Sequence, residues 1–331
     1  MPLRLLKIHH ADMGKNVEEL LDEIPNVDLR VKKKDGKVTT EVVLPADKVD
    51  KAVEILNTEY SGTEDYGILI LPVEASLPRE EVEEVTEEKQ EEKDRVGIEE
   101  IYQKVYESSK VSKTYLVMVI LASIVASIGV LYNDIPVIVG SMVIAPLLHP
   151  SMALSLATTL ADIDLYKRAI KGELLGFTIP IIVGIVFGAY FTVDPMASQI
   201  VSRTNITLLY ILLALSSGIA GSLSVTKGVS QAMVGVMIAV ALLPPLVTTG
   251  LLIGDGYLML SMGSFILFSV NMVSINLSGV TTFIVQEINP TGWWEKEKAK
   301  SMIKKAMSTW ILLLLVLAIL IVVYRNFFLL Y

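Results

Sequence analysis

Seven separate apolar stretches, each close to the ~20 residues needed to cross a bilayer, fill the last two-thirds of this 331-residue chain. They run over residues 115–132, 136–160, 174–193, 206–223, 229–253, 257–285 and 310–328. In hydrocarbon no water satisfies a free N–H or C=O, so runs of this kind commit the backbone to helices. The hydrophobic share of 52% and the positive mean hydropathy agree, and they exclude an ordinary soluble protein.

The first third is different. Up to Thr114 there are 17 Lys/Arg against 27 Asp/Glu, a net of −10; the remainder carries 11 against 9, a net of +2. Two domains follow, and the acidity belongs to the front one. Absent cysteine removes disulfides, thiolate metal sites and thiol nucleophiles. The first apolar stretch is interrupted by Arg4, Lys7, His9 and His10, which is no signal peptide.

Within the front domain, residues 3–8 read as a strand. Asp12 is placed to cap a helix over 15–24, whose Val17, Leu20, Leu21 and Ile24 share a face. Residues 27–34 alternate apolar and charged side chains, Asp35-Gly36 marks a hairpin turn, and 38–44 return. Pro45 opens a second helix carrying Val49, Ala52, Val53 and Leu56, and 66–73 form a last strand. The order βαββαβ is that of a ferredoxin-like α+β domain over 1–77. That fold serves many roles, with packing or oligomerisation set against ligand sensing. His9-His10 lack further ligands nearby and are read as solvated histidines. Residues 79–95 are a Glu-rich linker. Ile98, Ile101, Tyr102, Val105 and Tyr106 then recur at helical spacing, for a helix on the membrane surface or against the front domain. The membrane domain proper covers 115–331.

Basic residues set its direction. Lys/Arg precede the first span and sit after the second (Lys167, Arg168, Lys171) and sixth (Lys296, Lys298, Lys300, Lys304, Lys305). The intervening connections hold one or none, except that Lys227 marks the fourth. This alternation puts the front domain in the cytoplasm and the C-terminus outside a plasma membrane.

The spans also repeat. A constant offset of 95 carries Val139 onto Val234, Gly140 onto Gly235, Met142 onto Met237, Leu147-Leu148 onto Leu242-Leu243 and Pro150 onto Pro245. It also pairs Ile124 with Ile219, Ser127 with Ser222, Val130 with Val225 and Gly184 with Gly279. The unit is three spans long, about 115–193 and 206–288, so the second copy enters from the opposite side. The seventh span stands outside this 3+3 inverted repeat.

Helix-breaking residues point to a site. Gly140, Pro146 and Pro150 are expected to break span two, and Gly235, Pro244 and Pro245 to break span five, with Ser141 beside the first break. Paired breaks mark solute sites in inverted repeats, although two plain kinks have the same signature. His149 lies in the first break, as a proton relay or as a partner for a freed carbonyl. On span six, Asn271, Ser274, Ser278 and Thr281 form one face and Asn276 lies off it; such a stripe lines a path or joins helices. No span shows a central Asp, Glu, Lys or Arg, which argues against a carboxylate proton relay. No nucleotide, metalloprotease or serine-hydrolase motif is visible, so neither an enzyme nor a cofactor is expected.

Five segments carry a resemblance: Leu71-Pro72-Val73-Glu74-Ala75-Ser76-Leu77-Pro78, the run from Val139 to Leu148, Ala161-Asp162-Ile163-Asp164-Leu165, the run from Val240 to Pro245, and the run from Asn271 to Asn276. In these the chain resembles the prokaryotic integral membrane proteins catalogued as domain of unknown function 389. The resemblance covers nearly the whole chain and implies architecture without a substrate. The expectation is a transporter or channel for a small solute or ion, working in the lipid bilayer as a homo-oligomer and without nucleic acid. The competing expectation is a membrane sensor or scaffold whose front domain binds a ligand.

Overall fold

The computed structural model describes residues 3–11, 17–22, 24, 28–34, 37–62, 66–73, 97–226, 231–288 and 293–329. They form two compact units, divided between Gln103 and Lys104.

In the first unit the elements run β1 (Leu3–Ala11), α1 (Val17–Leu21), β2 (Asp28–Lys34), β3 (Lys37–Pro45), α2 (Ala46–Tyr60) and β4 (Gly67–Val73). The strands pair antiparallel in the order β2-β3-β1-β4. Alternation sends Leu6, Ile8, Val42 and Leu44 to one face, where Leu21 of α1 and Val49, Val53 and Leu56 of α2 cover them. Pro45 precedes α2 in an extended conformation, where its missing N–H leaves no helical bond unmade. The expected cap at Asp12, the turn at Asp35-Gly36 and the segment 79–95 lie outside the described residues.

One reading of this unit needs correction. β1 runs beyond Ile8, and its period of two turns His10 inward with Leu6 and Ile8. His10 is therefore buried rather than solvated. Its ring lies 4.9 Å from that of Tyr60, and its Nε2 is 3.4 Å from the Thr40 hydroxyl.

Helix α3 (Ile98–Ser108) begins against the same unit. The Ile98 N–H donates to Asp50 at 3.0 Å, and Arg4 pairs with Glu100 at 2.9 Å. Its start is thus packed on the front domain, the second of the two expectations. Burial and the neighbouring Asp50 push the Glu99 carboxyl above its ordinary range.

The second unit is helical: α4 (Lys113–Leu131), α5 (Ile135–Ile144), α6 (Leu148–Leu160), α7 (Ile163–Tyr190), α8 (Ser198–Thr204), α9 (Leu209–Thr226), α10 (Gln231–Gly254), α11 (Leu258–Val285) and α12 (Trp293–Leu329). Among the described residues, six helices are long and apolar enough to cross a membrane, and α5 with α6 form a seventh candidate bent by 50°. This is the make-up of a multi-pass membrane protein. Helix α7 begins at Ile163, 11 residues before the expected start of its span, capped by Asp162, whose carboxylate accepts the N–H groups of Asp164 and Leu165 at 2.9 Å each. The Arg168 guanidinium on its first turns stands 4.0 Å from the Tyr106 ring centroid.

Helix α7 packs on α10 and α6 packs on α11. At the α7–α10 crossing a glycine pair on each helix, Gly184/Gly188 and Gly250/Gly254, brings the backbones into contact. A Cβ on Gly184 would stand 2.6 Å from the Val247 carbonyl oxygen. Helix α12 is mostly exposed, and its buried Ile321 joins Ile206, Leu267 and Val270.

Candidate functional site

The first break falls at Pro146, one of the three residues expected to make it, while Gly140 lies inside α5 and Pro150 inside α6. Proline disfavours the α conformation of the residue before it, and Ala145 accordingly leaves α5 with φ −71° and ψ 117°. Pro146 and Leu147 turn the chain, and α6 restarts at Leu148. Pro150 falls in the first turn of α6, where its missing N–H costs nothing.

The second break is absent. Helix α10 continues through Pro244 and Pro245. Pro245 has no N–H for the Ala241 carbonyl one turn earlier, and that carbonyl accepts instead from Asn271 Nδ2 on α11 at 2.7 Å. The Pro245 carbonyl itself accepts from Ser264 on α11 at 2.7 Å and from Thr249 at 2.8 Å. Asn271 therefore replaces the donor that Pro245 removes, and Ser264 ties the same turn to α11. The expectation that Gly235, Pro244 and Pro245 interrupt span five is overturned by these bonds.

The predicted stripe on α11 also divides. Asn271 is the carbonyl partner just described. Ser278 donates to Ser274 and Ile275 carbonyls of its own helix and lies against Gly218, a packing role. Thr281 is exposed. Ser274 Oγ and Asn271 Oδ1 are buried without a hydrogen-bond partner among the described residues. Asn276, placed off the stripe by its spacing, makes the more informative contact.

That contact is with Glu173. The carboxyl side chain sits at the eleventh of the 28 residues of α7 and is 4% exposed. Asn276 Nδ2 stands 3.5 Å from Glu173 Oε1 and also donates to the Met272 carbonyl at 3.0 Å. Ser151, in the first turn of α6, stands beside the carboxyl, and its hydroxyl donates to the Leu147 carbonyl at 3.4 Å. Ser155, one turn further, reaches the Asn276 carbonyl at 3.4 Å and its side-chain oxygen at 3.5 Å. A Cβ on Gly279 would lie 2.5 Å from Ser155 Oγ and 3.4 Å from Ser222 Oγ, so α9 closes the same polar set.

Glycines let α7 approach the break. A Cβ on Gly172 would stand 3.2 Å from the Pro150 ring, and one on Gly176 would stand 3.0 Å from Leu147 Cδ2 and 2.6 Å from the Tyr115 hydroxyl. Tyr115 of α4 donates to the Gly172 carbonyl at 2.8 Å. Glu173 is thus held beside the helix start made by Pro146 and Pro150, at a meeting of α6, α7 and α11. Among the described residues no Lys, Arg or His forms an ion pair with it. A buried carboxyl that faces an amide donor and a helix start, with no ion pair among the described residues, can hold or release a proton, and its oxygens can face a cation.

Glu173 was not singled out by the sequence, because it directly precedes the apolar stretch that begins at Leu174. Three basic residues upstream made Glu173 read as part of a loop. The stretch 163–173 is in fact helical, and Gly172 and Gly176 flank the carboxylate on the face that packs on α4 and the break. That glycine spacing was the available signal. Of the other predicted residues, Gly140 is exposed with open space beside it, and Ser141 donates to Ile138 of its own helix at 2.6 Å. Gly235 faces Leu148, so the two repeated runs do meet. His149 is half-buried in the first turn of α6. Asp134 and Asp255, at helix ends, accept backbone N–H groups from Val137 and Val193.

The family model described as Domain of unknown function (DUF389) matches residues 142–277, a range that contains the break, Glu173 and Asn276. An uncharacterized protein of Methanocaldococcus jannaschii is 36% identical over 325 residues, covering 97% of this chain and 99% of the relative. No solved structure matches. The chain belongs to the family known as Domain of unknown function (DUF389).

Proposed function

We propose that the helical unit is a transporter or channel for a small solute or ion, with its path through the junction at Glu173. The observation that carries this reading is the buried carboxyl, without an ion pair among the described residues, beside the break and near Ser151, Ser155 and Asn276. Membrane proteins keep ionisable groups at such positions for traffic of ions or solutes, because plain packing does not repay their desolvation.

An inverted repeat supports the reading. α7 (Ile163–Tyr190) and α11 (Leu258–Val285) have equal length, and both ends are displaced by 95, the offset of the sequence match. The packing is reciprocal: span two of the first half lies on span six, and span five lies on span three. A pseudo-two-fold relation between halves of opposite orientation has that consequence. Only one half keeps its break, so the site is asymmetric and lies at the first.

In this reading the protein sits in the plasma membrane with further copies of itself, the front domain in the cytoplasm and the C-terminus outside, as the Lys/Arg distribution directs. The antiparallel order β2-β3-β1-β4 supports a ferredoxin-like front domain. A flux screen in proteoliposomes over common ions and metabolites is expected to find a solute carried above protein-free vesicles. No flux for any solute, together with a ligand held tightly by the front domain, would establish the sensor instead.

A further inference from the structure

We propose that Glu173 exchanges a proton with water during the working cycle, so that transport through this junction is coupled to protons. The inference rests on the transport reading for its purpose, while its chemistry is measurable without any flux. Proton uptake forms an O–H bond on one Glu173 Oε and neutralises the carboxylate; release returns the proton to water.

The argument is one of matched partners. A buried carboxyl kept permanently charged is normally paired with a cation, and Glu173 has none among the described residues. The Asn276 group turned toward it is the Nδ2 donor, which favours the charged form. The partners present serve both states. Asn276 Nδ2 and the start of α6 suit the charged carboxylate, and the nearby Ser151 hydroxyl, whose proton goes to the Leu147 carbonyl, keeps lone pairs that can accept from the acid.

The surroundings leave the titration to Glu173. Helices α10 and α11 carry no titratable side chain. Helix α6 carries only His149, and α4 carries Tyr115 beside the carboxyl and the exposed Lys113 at its start. On α7 itself Lys171 is exposed. The break is the nearest interruption of the helical packing, since Leu147 lies against Gly176 and Pro150 against Gly172, on either side of Glu173.

The test uses purified full-length protein and dicyclohexylcarbodiimide, which adds to protonated carboxylic acids in apolar surroundings. Peptide mass spectrometry locates the adduct at a series of pH values. The expected result is an adduct on Glu173 whose yield falls about tenfold per pH unit on the alkaline side of one transition. Glu173→Gln should lose that adduct and no other. No adduct on Glu173 at any pH, or a yield that ignores pH, overturns the proposal. The wild-type series decides this even if the variant fails to fold. Solute flux with a pH-independent Glu173 removes proton coupling and keeps transport; a pH-dependent adduct on a protein that carries nothing does the reverse.

Discussion

Alanine at Gly188 is expected to destabilise the membrane unit by about 1–3 kcal/mol, and leucine there to prevent its recovery as a folded, monodisperse protein. Any Cβ on Gly188 would overlap the Leu251 carbonyl, and one on Gly254 would overlap the Ile185 carbonyl across the same crossing. In a bilayer, helices gain nothing from hiding apolar surface, so close backbone contact carries much of the association. Neither backbone can retreat without opening the seam between α7 and α10. Gly140→Ala is the matched control, because no atom lies within 4 Å of the added carbon. It should be neutral, or stabilise by about 0.5–1 kcal/mol through helix propensity. Melting temperatures of the purified variants check this. Equal values for wild type and Gly188→Ala would mean that the two helices do not cross at these glycines.

The second prediction concerns the continuity of α10. Asn271→Leu removes the donor to the Ala241 carbonyl and leaves that buried oxygen without a partner. The expected cost is about 1–3 kcal/mol. Pro245→Ala restores an N–H that can reach the same carbonyl from within the helix. The pair should therefore be non-additive: Asn271→Leu is harmful beside Pro245 and close to harmless beside Ala at that position. A double-mutant cycle on thermal stability measures the coupling, expected at roughly 0.5–3 kcal/mol. Strict additivity would show that Asn271 does not compensate the proline.

This pair explains what could be read in advance and what could not. Pro146 breaks its helix because its effect is local: it excludes Ala145 from the α region whatever surrounds it. Pro244 and Pro245 looked equivalent, but their effect depends on whether a neighbour supplies donors. Asn271 does so from a helix 30 residues away, and no local pattern announces that. The strand and helix order of the front domain followed from alternation and from the proline at its second helix. The inward turn of His10 needed the true length of β1. Six of the seven apolar runs became helices long and apolar enough to cross a membrane, and the second run became the bent pair α5 and α6. Glu173 was lost because positive charges conventionally end a span, whereas the first turns of α7 carry Lys167, Arg168 and Lys171 on a continuous helix. Asn276 missed the polar stripe because its partners, Glu173 and Ser155, come from other helices and do not repeat along α11.

The central claim is that the junction at Glu173 lies on a path for solute. The chain contains no cysteine, so a single one introduced at Ser151 reports without background. Ser151 is 1% exposed in this state, so a static packed core would protect it. The measurement is modification of Ser151→Cys in proteoliposomes by a charged, membrane-impermeant thiosulfonate, added to each side in turn. Exposed Lys110→Cys serves as the control for reagent and access. The account predicts that the thiol at Ser151 is modified from at least one side, as the path opens to water. A Ser151→Cys protein unmodified from both sides, while Lys110→Cys reacts fully, would contradict it.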